Sequence, residues 1–164
     1  MLVISDTTPI LSLIKADRLD LLEKTFERVV IPDAVYAELT GNPAFADEAR
    51  QVKEAAFIIL ESVENKGSVK SFMDKNGLDE GESEAILLVK EKKADLLLID
   101  EKKGRRVAKE MGIPIIGTAG ILLDAFDEGL LSADDVRSAV RNLQDNMIRL
   151  DRSLIAAIER HIQG

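Results

Sequence analysis

Four acidic residues lie where they could bring carboxylates to one edge of a sheet. Asp6 directly follows the short apolar run at the start of the chain, and Asp100 directly follows the apolar run Leu96–Ile99. Ligands of open α/β sheets bind beyond the carboxyl ends of the strands. Glu38 and Glu82 lie on segments with helical spacing of apolar residues, whose starts we expect at the same edge. Converging carboxylates repel one another unless a cation neutralises them, so this pattern favours an oxygen-rich metal site.

Each of these acids also has a purely structural interpretation. Asp6 could be a turn or helix-capping residue before Pro9. Glu38 could be a glutamate at the boundary of a buried helix face, paired with a lysine. Asp100 could be the N-cap of a helix that begins near Lys102. Taken one at a time, the acids therefore do not establish a metal site.

The third position is crowded with acids. Glu82 has apolar residues one and two turns further along its helix, and it also completes an Asp79-x-x-Glu82 capping-box pattern. Glu80 and Glu84 are close enough in sequence to be rivals for the same role. Glu84 has Glu91 seven residues further on, so we expect its side chain to face water. The sequence leaves the choice among the three glutamates open.

Composition limits the kind of chemistry. The 164 residues suit one ordinary domain, and they include no cysteine and a single histidine, His161, near the end. Thiolate sites and zinc sites built on several histidines are thus excluded, and an oxygen-rich site points to Mg²⁺ or Mn²⁺. The net charge of −8 argues against a broad basic face for nucleic acid. We interpret His161 as an ordinary surface residue near a helix end.

Apolar runs alternate with helical patterns along the chain, which predicts an α/β fold with a parallel sheet covered by helices on both faces. We expect residues 1–142 to form the main body and residues 143–164 to form a C-terminal helical appendage of the same domain. Residues 146–150 could add a small strand or pack as a loop. The predicted strands are Val3–Ser5, Val29–Ile31, Phe57–Leu60, Leu96–Ile99 and Ile113–Ile116.

No targeting or membrane-spanning segment is expected. The first apolar run has no basic residues before it and ends at Asp6, so it does not resemble a signal peptide. No stretch approaches the length of uncharged apolar sequence that a membrane helix needs. We therefore expect a cytoplasmic protein.

Four segments in this order resemble a PIN-domain protein, and more narrowly the VapC-like toxins of prokaryotes. The resemblance covers roughly residues 1–130. It implies a Rossmann-like sheet of about four to five strands, Mg²⁺- or Mn²⁺-dependent endoribonuclease activity, a homodimer and a small antitoxin protein encoded nearby. The segments are Val3-Ile4-Ser5-Asp6-Thr7-Thr8-Pro9-Ile10, Val35-Tyr36-Ala37-Glu38-Leu39, Leu78-Asp79-Glu80-Gly81-Glu82-Ser83-Glu84-Ala85-Ile86 and Leu97-Leu98-Ile99-Asp100-Glu101-Lys102-Lys103-Gly104-Arg105.

The resemblance also implies roles for particular residues. The acids that match the four metal-binding and catalytic positions of the family are Asp6, Glu38, Glu82 and Asp100. Thr7 or Thr118 matches the polar residue that the family often has near the metal. The third acid is a glutamate where many PIN proteins have aspartate, and Glu101 could share the role of the fourth.

Basic residues follow the fourth acid. They could contact substrate phosphates beside the metal, or they could form a solvated helix face. The residues of this run are Lys102, Lys103, Arg105 and Arg106. The acidic net charge and the glutamate at the third position also keep a second function open. In this alternative, the chain is a PIN-like binding or regulatory module with little or no catalysis.

Overall fold

Five short strands form one parallel sheet in the structure, a computed structural model that describes residues 1–164. The first two strands have the predicted bounds, and the other three are shorter than the apolar runs that predict them. The last run, for example, enters the sheet only after Pro114, which has no N–H to donate to a neighbouring strand. The strands are β1 (Val3–Ser5), β2 (Val29–Ile31), β3 (Ile58–Leu60), β4 (Leu96–Leu98) and β5 (Ile115–Ile116).

Ten α-helices and one short 3-10 turn, Pro43–Phe45, surround the sheet. None of these helices combines the length and the apolar character that a membrane span requires. The helices are α1 (Thr7–Lys15), α2 (Asp20–Phe26), α3 (Asp33–Thr40), α4 (Ala46–Glu54), α5 (Gly67–Asn76), α6 (Glu80–Lys92), α7 (Lys102–Glu110), α8 (Thr118–Asp127), α9 (Ala133–Asp145) and α10 (Arg152–Gln163).

The order of the strands creates a switch point in the middle of the sheet. The sheet runs β3-β2-β1-β4-β5, so the chain first builds outward from β1 on one side and then crosses to the other side. β1 therefore lies between β2 and β4, with Ile4 beside Val30 and beside Leu97. Beyond β1, the Asp6 N–H donates to the Leu98 carbonyl at 2.9 Å. Crevices at such switch points are the usual ligand sites of open α/β sheets.

Side chains of each strand alternate between two cores. Val3 and Leu98 face a larger core together with α1, α8, α9 and α10, whereas Ile4 and Leu97 face a smaller core with α6 and α7. Neighbouring residues of a strand point to opposite faces, so a continuous apolar run is buried on both sides. The predicted α/β fold with helices on both faces is confirmed.

The C-terminal helices pack against the larger core. Helix α9 continues to Asp145, past the predicted boundary at residue 142. Helix α10 contributes Ile158 and Ile162 to the same core. Residues 146–151 form no strand and connect the two helices as a loop. The division of the chain into a main body and an appendage remains a prediction.

Candidate metal site at the switch point

Asp6 is a buried carboxylate at the centre of the sheet edge. It occupies the N-cap position of α1, but its side chain makes no capping hydrogen bond. The residue is 3% exposed. The pKa of Asp6 is raised to about 7, mainly by burial and in part by the charges of Glu82, Asp79 and Glu38, while a hydrogen bond from the Thr7 backbone N–H opposes the rise. Asp6 therefore does not act as the simple helix cap that its sequence position allows.

Glu38 comes from the last turns of α3 and meets Asp6 over the first turn of α6. Thr7 Oγ1 donates to Glu38 Oε2 at 2.8 Å, so the residue after Asp6 orients this second carboxylate. A Cβ on Gly81 would lie 2.5 Å from Glu38 Oε1 and 3.6 Å from Asp6 Oδ1. Both carboxylates thus lie within 4 Å of one point above the helix. That approach leaves no room for a side chain on Gly81.

Glu82 caps its helix with one carboxylate oxygen, which leaves the other oxygen available. Its Oε1 accepts from the Asp79 N–H at 3.2 Å, and Asp79 Oδ1 accepts from the Glu82 N–H at 2.8 Å. This confirms the capping box at the start of α6. The other oxygen, Oε2, lies 2.8 Å from the position that a Cβ on Gly104 would occupy. Glu82 therefore caps its helix and directs its second oxygen towards the start of α7, and its charge raises the pKa of Asp6.

Asp100 caps a helix other than the one predicted. Its Oδ1 accepts from the Thr118 N–H at 2.8 Å and its Oδ2 accepts from Thr118 Oγ1 at 2.7 Å. The N-cap of α7 is Glu101, which makes no capping bond. The interpretation of Asp100 as the cap of the helix near Lys102 is therefore wrong. Asp100 instead caps α8, whose own N-cap residue, Gly117, has no side chain to accept a hydrogen bond.

Glu84 is buried, and the prediction that it faces water is wrong. It is 5% exposed, and its Oε1 accepts from the Ala34 N–H in the first turn of α3 at 3.0 Å. The N-cap residue of α3 is Pro32, which has no side-chain acceptor. Glu84 thus satisfies from α6 a donor that α3 cannot satisfy itself. Ala34 lies one turn before Glu38, so this contact fixes the helix that presents the second carboxylate.

The glutamates around the site share the electrostatics of Asp6. Burial raises the pKa of Glu38, of Glu82 and of Glu84, and a hydrogen bond from Thr7, Asp79 or Ala34 opposes the rise in each case. No Lys, Arg or His side chain forms an ion pair with Asp6 or with these three glutamates. Negative charge therefore accumulates here without a compensating protein cation.

This donor set fits a hard divalent cation. All the available atoms are carboxylate and hydroxyl oxygens, which Mg²⁺ and Mn²⁺ prefer. A bound cation would also offset the repulsion that raises the pKa of the buried Asp6. The acids lie around the crevice at some distance from one another. No three His, Cys, Asp or Glu side chains are close enough together to coordinate a single ion.

A cleft of about 530 Å³ opens beside Glu38. Its walls come from α3, α5 and α6, and they include the rival glutamates Glu80 and Glu84. At its rim, Lys66 Nζ donates to Asp33 Oδ2 at 2.7 Å. This pair has no signal in the sequence, because Lys66, the N-cap residue of α5, and Asp33, the first residue of α3, are 33 residues apart.

The predicted phosphate contacts differ in their surroundings. Lys102 is exposed at the start of α7. Arg105 folds inward and donates from its NH1 to the Ile99 carbonyl at 2.8 Å. Lys103 extends over the end of α5, where a Cβ on Gly77 would lie 3.2 Å from its Nζ. Lys103 is therefore separated from the rest of the basic run, which lines one groove along α7.

A family model described as a PIN domain matches residues 2–163. The chain belongs to the PIN-domain family. PIN domains are generally nucleases that use divalent metals, so the acids at the switch point lie in a nuclease-type fold. The comparison with curated proteins returned no match.

Proposed function

We propose that this PIN domain is a Mg²⁺- or Mn²⁺-dependent endoribonuclease. The observation that carries the proposal is the buried Asp6 carboxylate, which meets Glu38 over Gly81 at the switch point without any cationic partner. Such a group is costly to keep in a metal-free protein, because burial and neighbouring charge both oppose its ionisation. Binding of a cation at this site would offset that cost and would explain why the carboxylates lie together.

In this proposal Asp6, Glu38, Glu82 and Asp100 hold the metal partly through its bound waters, since Mg²⁺ usually keeps several waters and binds only one or two carboxylates directly. When bound, Mg²⁺ or Mn²⁺ makes a water more acidic and stabilises the leaving oxygen of a phosphodiester. Other residues of the chain orient these carboxylates. Thr7 fixes one oxygen of Glu38 through its hydroxyl. The capping box holds Glu82 Oε1, which leaves Oε2 for the metal or for its water.

Thr118 holds Asp100 in the same way that Thr7 holds Glu38. Its N–H and its hydroxyl each donate to one Asp100 oxygen, so the carboxylate has a single orientation at the end of β4. Each oxygen of a carboxylate has two lone pairs, so both Asp100 oxygens retain a free acceptor position. We propose that Thr7 and Thr118 serve as orienting residues beside the metal.

The biological role that we propose is that of a cytoplasmic toxin of a toxin–antitoxin pair, which acts as a homodimer on RNA and is restrained by a small antitoxin protein. This part rests on the sequence resemblance. A small open reading frame next to the gene, whose product forms a stable complex with this chain and suppresses cleavage, would support it. A chain that is harmless on expression although it cleaves RNA in vitro would contradict it.

The test of the nuclease is RNA cleavage with added Mn²⁺ or Mg²⁺, with Asp6→Asn beside the wild type. We expect the wild type to cleave and Asp6→Asn to lose activity, whereas Asp145→Asn on the exposed surface of α9 keeps it. Equal cleavage by wild type and Asp6→Asn would indicate a contaminant and would refute the assignment. Binding of Mn²⁺, measured by calorimetry, gives a readout that does not depend on finding the right RNA.

Two observations favour the alternative function, that of a binding or regulatory module. Thr118 already engages both Asp100 oxygens, and no three acids converge on one point. This reading predicts no cleavage with any divalent metal, together with a stable complex with a partner protein. Mn²⁺ binding that Asp6→Asn abolishes, followed by metal-dependent cleavage, would exclude it.

A further inference from the structure

Helix α7 carries four cations on a single face in a chain whose net charge is −8. They occur at positions i, i+3, i+4 and i+7, which share one side of an α-helix. They line a shallow groove of about 370 Å³ whose walls contain no apolar residue, and Glu110 at its far end is the single acid there. The four residues, here called the α7 basic stripe, are Lys102, Arg105, Arg106 and Lys109.

The stripe is not compensated within the protein. None of its four cations forms an ion pair with an Asp or Glu, whereas other arginines of the chain, such as Arg50 and Arg137, pair with acids on their own surface. The pKa of Asp151 at the start of α10 is lowered mainly by hydrogen bonds from Ser153 and Leu154, and Lys102 adds a smaller effect without an ion-pair contact. Mutual repulsion within the stripe is a cost that an anionic ligand would remove.

The stripe begins at the candidate metal site. A Cβ on Gly117 would lie 2.6 Å from Asp100 Oδ1 and 3.1 Å from the NH1 of Arg105. The inner member of the stripe therefore lies beside the fourth acid. From there the exposed side chains of Arg106 and Lys109 continue away from the site along the helix.

We propose that the α7 basic stripe binds the phosphates of a single-stranded RNA on one side of the bond that is cut. The inference rests on the proposed nuclease function and extends it by placing the substrate backbone. The stripe spans about 10 Å along the helix, which is enough for two or more successive phosphates of one strand. In a duplex, the phosphates of the second strand would lie near the acidic remainder of the protein surface. Repulsion between these negative charges disfavours a double-stranded substrate.

The structure also revises which cations take part. Lys103, predicted from the sequence as a phosphate contact, lies against the end of α5 and is not a member of the stripe. Arg106, predicted as a phosphate contact in the same basic run, is a member, and so is Lys109, which the sequence did not single out. The mutational test therefore concerns Arg106 and Lys109, which both lie outside the metal site.

The experiment measures the affinity for a short fluorescent single-stranded RNA in EDTA, so that no cleavage occurs, over a range of salt concentrations. Each phosphate contact with a single strand contributes about 0.7 to the slope of log K against log salt. Arg106→Gln/Lys109→Gln should therefore lower the slope by about 1.4. The matched control, Lys53→Gln/Lys90→Gln, removes the same charge from the last turns of α4 and α6 and should leave the slope near that of the wild type.

The outcomes separate this inference from the proposed function. Equal slopes for the stripe variant and its control would overturn the inference, even if the protein cleaves RNA with Mn²⁺. A reduced slope without cleavage under any metal would support the stripe and refute the nuclease. An Arg106→Lys/Lys109→Arg variant should keep the wild-type slope, since it keeps both charges. Binding to an acidic polypeptide but not to RNA, lost in the stripe variant, would overturn the inference in favour of a protein partner.

Discussion

We predict that Gly81→Ala weakens metal binding and leaves folding stability nearly unchanged. The added Cβ would lie 2.5 Å from Glu38 Oε1, well inside the contact distance, and 3.3 Å from Glu38 Cδ. The obstacle is the end of a flexible side chain, so we expect Glu38 to swing away and to lose its hydrogen bond from Thr7. The backbone of α6 has no reason to move.

The expected change in folding stability is small because two effects oppose each other. Alanine favours a helix over glycine by up to about 1 kcal/mol. Loss of the Thr7 hydrogen bond to Glu38 costs about 1 kcal/mol. The free energy of unfolding should therefore change by less than about 1 kcal/mol, with the direction set by which effect is larger.

The effect on the site should be much larger than the effect on stability. Removing an orienting partner of a metal ligand typically lowers metal affinity about 10- to 100-fold, and displacing Glu38 itself should cost at least as much. Calorimetric titration with Mn²⁺ measures this loss, and urea unfolding in EDTA measures stability.

Gly67→Ala is the matched control. It makes the same chemical change in the first turn of α5, where the new Cβ would meet only Asn65 Oδ1 at an ordinary 3.6 Å. Mn²⁺ affinity should be unchanged in this control. An unchanged Mn²⁺ affinity in Gly81→Ala as well would refute the placement of Glu38 as a ligand. A loss of stability above about 3 kcal/mol would show that the clash is not relieved by the side chain, since a relieved clash costs far less.

Three further outcomes follow from the site. The folded protein keeps the Asp6 proton up to pH about 7, whereas the unfolded chain releases it near 3.8, so without metal the free energy of unfolding should fall as pH rises between these values and then level off. Asp6→Asn should have a smaller slope in denaturant unfolding, to which Glu38, Glu82 and Glu84 still contribute, and identical profiles for the two proteins would contradict the raised pKa of Asp6. Glu84→Ala should lower the free energy of unfolding by about 1–2 kcal/mol, because it leaves the Ala34 N–H without an acceptor. Glu84→Gln should lower it less, because the amide oxygen can still accept this hydrogen bond. Equal losses of stability in urea unfolding would argue against this capping contact. Thr118→Val should cost about 1 kcal/mol by removing one donor to Asp100, whereas Thr118→Ser should not, and a serine variant as unstable as the valine variant in thermal unfolding would exclude the hydrogen bond as the cause.

Local patterns accounted for much of the fold. Apolar runs of strand length predicted the five strands, because a strand buried on both faces needs an apolar side chain at every position. The Asp79-x-x-Glu82 spacing predicted the capping box, because both partners lie within one helical turn. The acid after β1 and the acid that follows Ile99 also reached the predicted edge of the sheet. These features depend on contacts between near neighbours in sequence.

Non-local partners were not predictable in the same way. Glu84 pairs with a backbone N–H that is 50 residues away, and Asp100 pairs with Thr118, 18 residues away. In both cases the helix that receives the carboxylate begins with Pro32 or Gly117, which cannot supply a side-chain acceptor. The missing cap is visible in the sequence, but its replacement depends on which elements the topology brings together.

The sequence by itself determined the alternation of strands and helices, the all-oxygen character of any metal site and the edge at which Asp6 would lie. Each of these follows from residue type and near spacing. The tertiary structure alone decided that Asp6 is buried, that Glu38 meets it above Gly81, and that four cations of α7 form one uncompensated stripe. Burial and close approach depend on the packing of α3 and α6 across the switch point, and no periodicity in the chain specifies that packing.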